Sequence, residues 1–93
     1  MTAADQPEAA WFVYILLNDR GITYTGISTD VDRRLCQHNA GTGARFTRGR
    51  GPWRLLHCEG PLGHGDALRR ELGIKKDARF RAGLKRGALP QTP

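Results

Sequence analysis

Two tyrosines, Tyr14 and Tyr24, stand ten residues apart; Arg34 follows ten residues later and His38 four beyond that. A glutamate, Glu71, comes much further on, in the segment LRRELGIK. Together these types suit hydrolysis of a phosphodiester, which needs an activated water, a cation to hold transition-state charge, and help for the leaving oxygen. Arg34 meets the second need, because its fork matches phosphate oxygens and it keeps its charge. Glu71 with a hard divalent cation such as Mg²⁺ would supply Lewis acidity, its shell completed by waters and phosphate. For the base, His38 is the ordinary candidate. A tyrosine is the alternative, if nearby cations stabilise its phenolate.

The elements around these residues must bring them together. Trp11–Leu17, WFVYILL, is aromatic and β-branched without alternation, which predicts a central strand covered on both faces. Ile22–Ile27 reads as a second strand, making 11–27 a hairpin. A three-residue loop, Asp19-Arg20-Gly21, sets Asn18 opposite Ile22, Leu16 opposite Tyr24 and Tyr14 opposite Gly26. Tyr14 and Tyr24 are then diagonal neighbours on one face, whereas a loop one residue longer separates them. Gly26 is expected to leave open space beside the Tyr14 ring for a ligand backbone.

Thr29 is the expected cap of the next helix, with Asp32 completing a capping box. At 100° per residue Val31, Leu35 and His38 share a face and Arg34 flanks it, while Arg33 points to the other side. Residues 40–52, AGTGARFTRGRGP, read as a flexible basic loop without the Gly-Lys-Ser/Thr of a phosphate-binding P-loop. Arg45, Arg48 and Arg50 are candidate phosphate contacts there and Phe46 a candidate for stacking on a base. Arg33, Lys75 and Lys76 extend the same candidate surface.

A third strand is expected over 53–58, a turn over 60–65, and a helix from His64 or Asp66 to about Lys76. Ala67, Leu68, Leu72 and Ile74 form its expected apolar arc, with Glu71 in the middle. A carboxylate there must be paired, protonated or bound to a cation; an ordinary i, i+4 pair with Lys75 competes with the metal reading. A last helix over 77–86 is expected to pack Phe80 and Leu84 inward and stop at Gly87.

At 93 residues the chain has room for one hydrophobic core. We take 1–10 and 87–93 as tails and 11–86 as one α+β domain, a small three-stranded antiparallel sheet flanked by helices. Positive charge is concentrated: residues 1–32 carry a net −4 and residues 33–93 a net +10, which suits a polyanionic partner such as DNA or RNA. Cys36 and Cys58 are too few and too far apart for a zinc module and are expected as reduced thiols. With no apolar leader and no run long enough to span a bilayer, a cytoplasmic location and no membrane partner are expected.

The ordered set of Tyr14 in VYI, Tyr24 and Gly26 in YTG, Arg34, His38 and Glu71 resembles the GIY-YIG endonucleases, over roughly residues 11–86. It is most similar to the small stand-alone bacterial proteins of that kind. The resemblance implies DNA as substrate, Tyr14 as general base or water-orienting group, and Tyr24 positioning the nucleophile or a phosphate oxygen. It further implies Arg34 on the transition state, Glu71 holding a single Mg²⁺ or Mn²⁺, and His38 aiding proton transfer. Val13 stands where the first motif has its glycine, and Thr25 where the second has isoleucine. No further DNA-binding or zinc module is present in the sequence, which leaves room for a protein partner that supplies specificity.

Overall fold

The computed structural model describes residues 10–88; the regions read as tails in 1–9 and 89–93 lie outside the described residues. Three strands, β1 (Trp11–Asn18), β2 (Thr23–Ser28) and β3 (Trp53–Leu62), form an antiparallel sheet in the order β2-β1-β3. Three helices complete the fold: α1 (Val31–Ala40), α2 (His64–Lys75) and α3 (Ala78–Ala88). This is the expected α+β architecture, and β1 is central as its apolar run predicts.

The pleat of β1 divides the core. Val13 and Ile15 project to one side and pack with Ala67 and Ile74 of α2, bordered by Phe80 and Leu84 of α3. Tyr14 and Leu16 project to the other, against Trp53, Tyr24, and Val31 and Leu35 of α1. All four side chains from β1 are fully or almost fully buried, each apolar one contributing about 1.5–3 kcal/mol of transfer free energy. Val13, the departure from the family's first glycine, is thus a core residue on the helix-covered face opposite Tyr14.

The hairpin register is the one the three-residue loop requires. Tyr14 pairs with Gly26 and Leu16 with Tyr24, and the loop closes through the Asn18 amide donating to the Ile22 carbonyl. Asn18 is buried, and its side chain reinforces the turn by accepting from the Arg20 and Ile22 amides.

Several local expectations are corrected. The α1 N-cap is Asp30, whose carboxylate accepts from the Arg33 amide, while Ser28 rather than Thr29 braces the approach. The third strand runs on to Leu62, because β3 is a sheet edge where Pro61 can be accommodated without losing an interior ladder bond. α3 passes through Gly87 to Ala88, so Gly87 does not stop it. On α2 the inward stripe is Ala67, Glu71 and Ile74, at i, i+4 and i+7; Leu68 and Leu72 are exposed, at 45% and 53%. Glu71, partly exposed, therefore lies between two buried residues of the stripe instead of interrupting a leucine arc.

The loop read as flexible is held from several sides. Asn39 and the buried Trp53 exchange two hydrogen bonds, Asn39 Nδ2 to the Trp53 carbonyl and the Trp53 amide to Asn39 Oδ1. Trp53 Nε1 donates to the Thr47 carbonyl, and Asn18 Nδ2 donates to the Arg50 carbonyl. Residues Arg45–Thr47 form a 3-10 turn with Thr47 buried. Glycine and arginine content signalled exposure correctly, but flexibility does not follow when carbonyls are captured by buried side chains.

Candidate active site

The first tyrosine crosses its neighbouring strand. A β-carbon at Gly26 would fall 2.6 Å from the Tyr14 hydroxyl oxygen. The missing side chain at Gly26 is therefore filled by the phenol itself and does not leave the open approach for a ligand that the sequence suggested. Only glycine at this position lets a tyrosine on the central strand carry its hydroxyl toward the β2 edge.

At that point the phenol meets α1. The Tyr14 hydroxyl lies 2.8 Å from His38 Nε2, and His38 Nδ1 lies 2.8 Å from the Thr47 hydroxyl. Both Tyr14 and His38 are 1% exposed. Tyr24 closes over the pair, its ring centroid 6.4 Å from that of Tyr14 and 5.0 Å from that of His38. Burial pushes the Tyr14 phenol up to about 12, opposed by the Arg34 guanidinium nearby and assisted by Tyr24 and Glu71. Burial first, and Arg34 second, lower the His38 pKa below the usual imidazole value. The histidine is therefore neutral at pH 7, able to accept a proton, and adjoins a phenol that has one to give.

Arg34 stands one turn before His38 on α1 and is half-buried, with Nη1 donating to Gln37 Oε1 at 2.8 Å. It lines a small recess with Ser28, Thr29, Asp30, Arg33 and Gln37. Arg33 is exposed, as the helix geometry predicts.

Glu71 comes from α2, which packs on the opposite face of the sheet and against β2. Its side chain is 18% exposed, and its Oε2 lies 3.1 Å from Lys75 Nζ, itself half exposed. The i, i+4 pair is thus real, but the lysine folds inward to a carboxylate that faces the molecule. Arg70, the residue before it, anchors this helix: Nε and Nη2 reach Glu59 on β3 at 2.6 and 2.9 Å. His57 Nε2 lies 2.7 Å from the same carboxylate. The Arg70 hydrogen bonds pull the Glu59 pKa down to about 2, with help from His57. Ala67 and Ile74, buried against Val13 and Ile15, set the rotation of α2 and with it the direction of Glu71, and the exposed Arg70–Glu59 pair ties the helix to β3.

A groove of about 400 Å³ opens at the β2 edge, lined by Thr23, Tyr24, Thr25, Phe46, Lys75 and Arg81. Phe46 stacks on Tyr24 with centroids 6.0 Å apart and planes at 20°. The Arg50 guanidinium lies 4.7 Å from the Phe46 ring centroid. Arg81 Nη1 donates to the Ile74 and Lys75 carbonyls, capping α2 at the groove wall. Arg45, Arg48 and Lys76 are exposed around this region of the chain but do not line the groove. Sequence reasoning missed Thr47, Arg70 and Arg81.

Among the described residues no three His, Cys, Asp or Glu side chains gather to hold a metal ion. One inward-facing carboxylate nevertheless fits Mg²⁺, which takes hard oxygen ligands and keeps several waters. Glu71 is the residue that would hold it. Among the described residues no helix is long and apolar enough to cross a membrane, and both cysteines are free and exposed.

Residues 10–85 match the model of the GIY-YIG catalytic domain. This chain belongs to the GIY-YIG family. The matched unit is a catalytic domain, and it takes in nearly all of the described residues. Among relatives, this GIY-YIG domain is 47% identical over 69 residues to a UPF0213 protein of Nitratidesulfovibrio vulgaris, covering 74% of this chain and 63% of that one. It is 48% identical over 67 residues to a UPF0213 protein of Halobacterium salinarum, covering 72% and 87%. The solution NMR structure of an E. faecalis protein is similar to it with a TM-score of 0.53 and 32% identity, over 88% of this chain and 90% of that one. The chain spans less than two thirds of the first of these relatives.

Proposed function

We propose that this chain is a metal-dependent endonuclease that hydrolyses DNA phosphodiester bonds, directed by structure or single-strandedness more than by sequence, in repair or recombination. The observation that carries the reading is the buried Tyr14–His38 hydrogen bond, with Arg34 and Glu71 both contributing to the electrostatics of the same phenol. In the reaction, Tyr14 passes its proton to His38 Nε2 as it takes one from the attacking water. The oxygen of that water bonds to phosphorus, the bond to the leaving oxygen breaks, and the leaving oxygen is protonated from solvent. Arg34 holds the charge that builds on the phosphoryl oxygens. A divalent cation on Glu71, when bound, supplies Lewis acidity. Phe46, Arg48, Arg50, Arg33, Lys75 and Lys76 contact the strand through stacking and phosphate charge, so binding is sequence-tolerant and salt-sensitive.

A second reading has its own observation. The Glu71–Lys75 pair satisfies the carboxylate without a metal, as expected of a nucleic-acid-binding module that does not cut. A cleavage assay on single-stranded, duplex and branched DNA with Mn²⁺ or Mg²⁺ separates the two. The nuclease reading requires cutting that chelation abolishes. Binding without cutting by the unaltered protein supports the module.

A further inference from the structure

Thr47 is buried, and its hydroxyl sits between two partners at the same distance: His38 Nδ1 at 2.8 Å and the Ala44 carbonyl at 2.8 Å. It has one proton to give. Two arrangements of the chain Tyr14–His38–Thr47 follow, and they run in opposite directions. In the first, Thr47 donates to Ala44, His38 donates from Nδ1 to Thr47, and Nε2 accepts from Tyr14. In the second, Thr47 donates to Nδ1, and Nε2–H donates to Tyr14.

Hydrogen-bond accounting separates them. The Ala44 amide points at Nδ1 from 3.4 Å, longer than an ordinary hydrogen bond, so the first arrangement gives up a weak interaction and leaves that part-buried amide without this acceptor. The second leaves the hydroxyl proton of a tyrosine that is 1% exposed with no protein acceptor among the described residues, so that only a water in the site could take it. A buried hydroxyl without a protein acceptor costs more than the weak amide contact is worth. The first arrangement prevails.

We infer that Thr47 is a positioning residue that holds His38 as the Nδ1–H tautomer, so that Nε2 is free to take the phenolic proton of Tyr14. This deepens the nuclease reading by assigning the direction of proton movement. It also links the base to the surface that meets substrate. Thr47 lies between Phe46, which stacks on Tyr24, and Arg48, and its carbonyl is held by Trp53 Nε1. The loop packs directly on the ring: a β-carbon at Gly43 would fall 2.5 Å from His38 Nδ1. A movement of the loop on binding a nucleic acid would therefore be felt at Nδ1.

The test is nitrogen-15 NMR of the His38 ring in the unaltered protein at pH 7.5, read by couplings from the ring carbon-bound protons. The proton is expected on Nδ1; a proton on Nε2 overturns the inference. Thr47→Val keeps the shape and removes the acceptor, and is expected to lose the Nδ1–H preference. Thr47→Ser is expected to keep it. In cleavage, Thr47→Val should lower kcat about 100-fold, at the low end for a proton-transfer group, with KM unchanged and Thr47→Ser within about threefold of the parent. A Val variant that folds and keeps both the tautomer and the rate contradicts the assignment; should it not fold, the tautomer in the parent and the Ser variant decides. If the protein cuts nothing, the nuclease reading fails while the tautomer is still measured.

Discussion

The Tyr14 hydroxyl lies 2.8 Å from His38 Nε2 although 24 residues separate them in the chain. Three local features bring them together: a hairpin register that sets Tyr14 opposite Gly26, a glycine there that yields to the phenol, and a helix phase that turns His38 inward. The candidate chemistry depends on all three.

Gly26→Ala tests the close approach. Its β-carbon cannot share space with the Tyr14 hydroxyl, so the phenol or the strand must move. The expected destabilisation is about 1–3 kcal/mol, as for overpacking elsewhere, measured by urea denaturation. Cleavage is expected to fall more than stability explains, because the shift separates Tyr14 from Nε2. Full stability and activity in this variant would remove the physical reason given for glycine at 26.

The pH dependence of activity follows from His38. Its pKa is lowered by burial and by Arg34, so the base stays neutral until the pH falls below the usual imidazole value. The rate should be flat through neutral pH and decline only in more acid solution, with an apparent pKa below 6.5. A decline centred above that value in kcat/KM would place the titrating base elsewhere.

Stability has its own pH windows. Glu59 is depressed from 4.5 to about 2 by Arg70 and His57, so its contribution is complete above pH 4.5 and is lost as pH falls toward 2. Tyr14 is raised from 10.0 to about 12; its contribution is complete below pH 10 and is lost as pH rises toward 12. Glu59→Gln should flatten the acid limb of unfolding free energy against pH, and Tyr14→Phe the alkaline limb. An acid limb unchanged by Glu59→Gln would show that the α2 anchor is not the group being titrated.

Binding can be separated from cutting by salt. Removing one arginine that neutralises a phosphate should lower the slope of log K against log salt by about 0.7 on a single strand. Arg48→Ala with Arg50→Ala should therefore reduce it by roughly 1.4 in fluorescence anisotropy, measured with chelator present. An unchanged slope would show that these arginines serve only to cover Phe46 and the loop.

Much of this arrangement is legible in the sequence, for specific reasons. The unbroken apolar run around Tyr14 marks a strand covered on both sides, and the hairpin loop length fixes which residue faces Tyr24. The helical phase of Val31, Leu35 and His38 singles out Arg34 over Arg33. Other features are out of reach because they are tertiary. Nothing local distinguishes Thr47 from Thr42 in the same glycine-rich loop; Trp53 and His38 select it. Leu68 and Leu72 read as core by hydropathy, yet α2 packs through Ala67 and Ile74, so that Glu71 faces in and both leucines face out. The space expected beside Gly26 is filled by the very side chain it would have exposed.

If the chain is a nuclease, Arg34 and Glu71 must serve cutting at the site built around Tyr14. Single-turnover cleavage of labelled DNA with Mn²⁺ addresses this without intermediaries, comparing the unaltered protein with Arg34→Ala and Glu71→Gln. Anisotropy on the same samples under chelation reports binding alone. We expect metal-dependent cutting by the parent, a loss of at least about 100-fold in each variant, and binding at low salt that persists in both. Cutting that survives chelation, or variants as active as the parent, would contradict the assignment.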